Sequence, residues 1–87
     1  MFINEKKQPP PYDQTVWVWI DYNKAGVRIK GWHLGKRISF GMIDDYKTVN
    51  TSTFEVSTFE REYVKIWSPY LGLTENPPIL DDLPGID

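Results

Sequence analysis

From Val16 to Ile20 the chain alternates, but between two kinds of apolar residue: Val16, Val18 and Ile20 on one parity, Trp17 and Trp19 on the other. A half-buried strand gives one parity to water. This stretch therefore predicts a strand covered on both faces, or one whose indole face awaits a partner. A second alternating run begins at Val27, after "NKAG" (Asn23 to Gly26), which predicts a hairpin over a four-residue loop with Gly26 at positive φ. In that register Tyr22 faces Val27, Asp21 faces Arg28, Ile20 faces Ile29, Trp19 faces Lys30 and Trp17 faces Trp32. An ion pair, a cation over an indole and an aromatic pair then share one face, all favourable cross-strand combinations.

The pattern turns again at "LGKR", where Gly35 suits a two-residue type II′ loop and would set Leu34 opposite Arg37. A third strand would then place Met42, Phe40 and Ile38 against Ile29, Gly31 and His33, with Ser39 and Gly41 beside Trp32 and Lys30. Residues 44–53, "DDYKTVNTST", read as a turn-rich connection. Ser57 and Glu60 fit a capping box for a short helix, although the same residues also read as strand. Tyr63 to Trp67 predicts a strand closed by Pro69, with Val64 and Ile66 on one side and Tyr63, Lys65 and Trp67 on the other. The expected fold is mainly β, a small twisted antiparallel meander or SH3-like barrel with room for one short helix.

Length adds that the 87 residues form one domain. Residues 1–14 form a proline-rich extended arm, and residues 70–87 an irregular, acidic C-terminal segment whose leucines could strap over a sheet. Pro9 to Tyr12 also fits the proline-proline-x-tyrosine pattern that WW domains bind. The net charge of −2 offers no general attraction to long nucleic acid or to an anionic membrane. No cysteine is present, which removes disulfides and thiolate chemistry. With no signal-like or membrane-spanning run, the expected location is the cytoplasm, or the host cytoplasm if the protein is phage-encoded.

Catalytic constellations are missing from the pattern. The one histidine, His33, falls on the core-facing parity, and the adjacent acids Asp44–Asp45 and Asp81–Asp82 point to opposite sides of an extended chain. The expectation is a non-enzyme that needs no metal or cofactor. What stands out is the indole face. Three or four large aromatics would form a patch above the few hundred Å² that monomers leave in water. Its cover is either the chain's own ends or a partner. Arg28, Lys30 and Lys65 on the same parity favour an anionic or nucleotide-like ligand or a protein surface. Trp17, Trp19, Arg28, Lys30, Trp32 and Lys65 are accordingly the expected binding residues. Homodimers through an open face or edge are also compatible with this pattern.

The two ends carry a resemblance. Phe2 and Ile3 open the chain, Pro9 to Pro11 precede the valine-rich strand of Val16 and Val18, and Val64, Ile66, Trp67, Ser68 and Pro69 are followed by Pro77 and Pro78. These elements resemble a family of small phage and prophage proteins of unknown function. "YLGLTEN" inserts residues before the double proline, and the tryptophan cluster has no family counterpart. The resemblance implies viral or prophage origin and an architectural role for Trp67. By analogy it implies stoichiometric inhibition of a host factor, such as a defence component, through binding of a protein or a small anionic signal. A nucleotide or single-strand binder and a self-assembling phage component are the alternatives.

Overall fold

The computed structural model describes residues 2–71. The double proline and the acidic tail expected to strap over the sheet lie outside them. Six strands form one antiparallel sheet: β1 (Ile3–Asn4), β2 (Val16–Lys24), β3 (Val27–Phe40), β4 (Ile43–Val49), β5 (Val56–Glu60) and β6 (Val64–Pro69), in the spatial order β1-β6-β2-β3-β4-β5. Strands β2 to β5 run as a meander. A 3₁₀ turn at Arg61–Tyr63 then sends β6 back to pair with β2. β3 joins two three-stranded halves, pairing with β2 as far as Gly35 and with β4 from Leu34 onward. Val16, Val18, Ile20, Val64 and Trp67 of one half share a buried cluster with Tyr46 and Phe59 of the other, so the curled sheet packs its two halves on each other in a barrel-like arrangement.

The β2–β3 hairpin corrects the expected loop. The turn is Ala25–Gly26 alone, with φ of 53° and 79°, the double positive φ of a type I′ turn, and this lets Lys24 pair with Val27 and Asn23 with Arg28. Register moves by two residues, so every side chain keeps its face but changes partner. Trp19 now faces Trp32, Asp21 faces Lys30 and Trp17 faces Leu34.

Gly35 makes no turn. β3 runs straight through it for 14 residues, and the chain reverses at Gly41 and Met42, where Gly41 takes φ of 62° and Phe40 pairs with Ile43. The glycine is needed for space: a Cβ at Gly35 would stand 3.1 Å from Thr48 Cγ2, 3.2 Å from the Lys47 carbonyl and 3.2 Å from Val18 Cγ2. The pairing expected between Met42, Phe40, Ile38 and β3 therefore does not occur. Most of the expected 44–53 connection is β4, and only residues 50–55 form a turn, in which Asn50 Oδ1 accepts from the Ser52 and Thr53 amides. Val56–Glu60 is strand, so Ser57 caps no helix.

In β6 the expected parity breaks. Val18 pairs with Trp67 but Ile20 pairs with Val64, and the extra residue between them is a bulge that puts both Val64 and Trp67 in the core. Trp67 Nε1 donates to the Gln8 carbonyl at 2.7 Å. That bond ties down the N-terminal arm, whose Pro10 is buried and whose Asp13 amide donates to the Arg37 carbonyl. Tyr12 lies under the Arg37 guanidinium, 4.1 Å from ring centre, and donates to Asp44 at 3.1 Å. The tyrosine of the WW-type pattern is thus already engaged within the molecule.

Candidate functional site

Register places Trp17 and Trp19 on the face of β2 opposite the valines, with Trp32 and Leu34 beside them on β3. The indoles do gather on one side. Their exposure differs from the expected docking surface, because Trp17 and Trp19 are only 2% and 4% exposed and Trp32 is half-buried. Trp19 meets Trp32 edge-on with ring centres 5.4 Å apart, Phe2 stacks on Trp32 at 6.0 Å, and Tyr70 meets Trp17 edge-on at 5.8 Å. Both ends of the described chain thus lie on the indoles. Ile66 and Ser68 of β6 are buried beside them.

The cations divide. Arg28 and Lys30 continue the indole row along β3 toward the Ala25–Gly26 turn, and both are exposed. Lys65 is exposed but lies in the bulged stretch of β6, where parity changes, so it does not extend that row. Asp21, directly across from Lys30, is the one acid among them.

Chemically the face is one-sided. The Nε1 atoms of Trp17, Trp19 and Trp32 are all buried, and none has a hydrogen-bond acceptor among the described residues. An indole N–H can only donate. A buried donor without a partner costs about 1–3 kcal/mol, and native folds hold few of them. Adjacent Arg28 and Lys30 are donors too.

A second constellation escaped the sequence reading. Glu5, 1% exposed, accepts from Tyr46 Oη at 2.7 Å, from Arg61 Nε at 2.6 Å and from Arg61 Nη2 at 3.2 Å. Arg61 also reaches Asp44 at 3.2 Å, and Asp44 takes a two-pronged contact from Arg37 at 2.9 and 2.6 Å. The Arg37 hydrogen bond holds the Asp44 carboxyl below the usual carboxylate range. Burial, then the Glu5 carboxylate, pushes the Tyr46 phenol far above its ordinary value. Each acid here is committed to a cation or a hydroxyl, leaving no free base or nucleophile, so the network is a polar lock between arm and barrel. Its only sequence signal is the inward parity of Asp44, Tyr46 and Thr48 in β4.

His33 is buried on the core side, near Phe59, with Nδ1 3.3 Å from the Gly31 carbonyl, and burial lowers its pKa. Among the described residues no helix is long and apolar enough to cross a membrane. No family model, curated protein or solved structure matches the chain.

Proposed function

We propose that this chain is a non-catalytic binding protein that acts stoichiometrically on a partner protein through the indole face, the partner supplying acceptor and anionic groups. One observation carries the reading: among the described residues, three buried indole N–H groups on a single sheet face have no acceptor. Donors left unpaired at a fold's expense are a mark of sites completed by something else. Exposed Arg28 and Lys30 extend the same preference for acceptors to the solvent side. Phe2 and Tyr70 are the described side chains that would move as a partner docks. The resemblance to small phage and prophage proteins supports a host protein, such as a defence factor, as the target.

Trp19→Phe and Trp32→Phe keep ring area and remove the donors. The measurement is affinity capture from a bacterial lysate with native mass spectrometry, run beside thermal melts. We expect a one-to-one partner with the parent chain, lost in the double variant, while melting temperature holds or rises. Equal capture by the variant would show that the donors are idle. A small nucleotide co-eluting in place of a protein would shift the reading to the ligand-binding alternative.

A further inference from the structure

The outer face of the other half, β3–β4–β5, meets the indole face at Leu34 and beyond it carries a pattern of its own. Cross-strand pairing sorts its side chains into rows: Leu34, Val49 and Val56; then Lys36, Lys47 and Thr58; then Ile38, Asp45 and Glu60; then Phe40 and Ile43. In order these rows are apolar, cationic, anionic and apolar. Lys36 stands directly opposite Lys47, and Asp45 directly opposite Glu60. Like charges so placed destabilise a sheet. None of the four forms an ion pair among the described residues, although Glu60 lies within the field of Lys24. The apolar ends are open to solvent, with Phe40 80% exposed, Ile43 52% and Val56 63%. The first row also floors a shallow groove of about 340 Å³, lined by Leu34, Gly35, Thr48, Val49 and Val56 with the stems of Lys36 and Lys47.

We propose that two copies of this chain pair through this face about a two-fold axis running across the strands between the two charged rows. That operation reverses row order. The cationic row then faces the partner copy's anionic row, Lys47 faces Asp45, and Phe40 of each copy enters the groove of the other. A two-fold axis along the strands would set like rows together, so charge selects the first arrangement. The rule that isologous contacts are reciprocal satisfies both apolar ends at once. Three strands by four rows give a footprint of about 15 by 25 Å from strand spacing and rise. Such an interface falls below standard size, so the dimer is weak and transient.

Sedimentation velocity over a concentration series of the full chain tests this, with Lys47→Glu and Asp45→Lys as the variants. Each alone sets like charge against like across the axis and should weaken association about tenfold, whereas an equimolar mixture of the two should restore it. Phe40→Ser should also weaken the dimer, with its melting temperature unchanged. Should either charge variant fold poorly, loss of the wild-type dimer at high salt gives the same reading. A chain that stays monomeric at several hundred micromolar, association that continues past two, or variants that do not rescue each other would overturn the proposal. Trp19→Phe and Trp32→Phe leave this face untouched, so failure here and failure at the indole face are separate results.

Discussion

Gly35 and Glu5 show how single positions set limits here that neither composition nor periodicity announces. Gly35→Ala would push a methyl against the Lys47 backbone carbonyl, which cannot rotate away, and against Thr48 and Val18. Chemical denaturation should show a loss of about 1–3 kcal/mol, typical of overpacking. Glu5→Gln keeps the shape but removes the charge facing Arg61. Because Arg61 retains Asp44 and is partly exposed, the expected loss is about 2–4 kcal/mol, toward the lower end for a broken buried pair. Acid behaviour belongs at this scale too. The Asp44 pKa is depressed in the fold, so its contribution is complete above the unfolded value near 4 and is lost as pH falls through the lower folded value. The His33 pKa is also depressed, so protonation favours the unfolded chain once pH drops below about 6.5. A melting-temperature profile should therefore decline first from about pH 6.5 and again below about pH 4, and His33→Gln should remove the first decline alone.

Among the elements, the β2–β3 hairpin is held by a turn in which Ala25 adopts positive φ against its own Cβ. Asparagine tolerates that conformation and precedes glycine in the favoured two-residue turn. Ala25→Asn should raise stability by about 0.5–1 kcal/mol, read as a higher denaturation midpoint with an unchanged slope. β6 makes a different point. Its bulge allows Val64 and Trp67, three residues apart, to enter one core. Strict alternation from Tyr63 would have sent Trp67 to the other side, and no residue between them announces the bulge. β4 was concealed for a related reason: its inward residues include Asp44 and Thr48, so the strand lacks an apolar parity until Arg37 and Arg61 supply its partners.

For the whole molecule, the N-terminal arm is part of the barrel. It brings Ile3 to the core, Glu5 to the polar lock, Pro10 to the interior and the Gln8 carbonyl to Trp67. A chain lacking residues 1–13 would leave the Trp67 N–H without its acceptor and the Arg61 guanidinium with Asp44 alone, at about 1–3 and 2–4 kcal/mol respectively. Those sums approach the whole stability of a small domain, so circular dichroism of that truncation should show no cooperative melt. The mainly β class, the first hairpin's two faces, the inward His33 and the shared side of Trp17, Trp19 and Trp32 were legible along the chain, because a period of two survives any error of two in register. The length of β3, the role of Gly35, the bulge and the Glu5–Arg61–Asp44–Arg37 network were not, because each depends on which strands meet. Local alternation fixed where side chains point. Only closure of the sheet decided what they point at: it drew residues 5, 37, 44 and 61 to one place and buried indoles whose donors find no acceptor among the described residues.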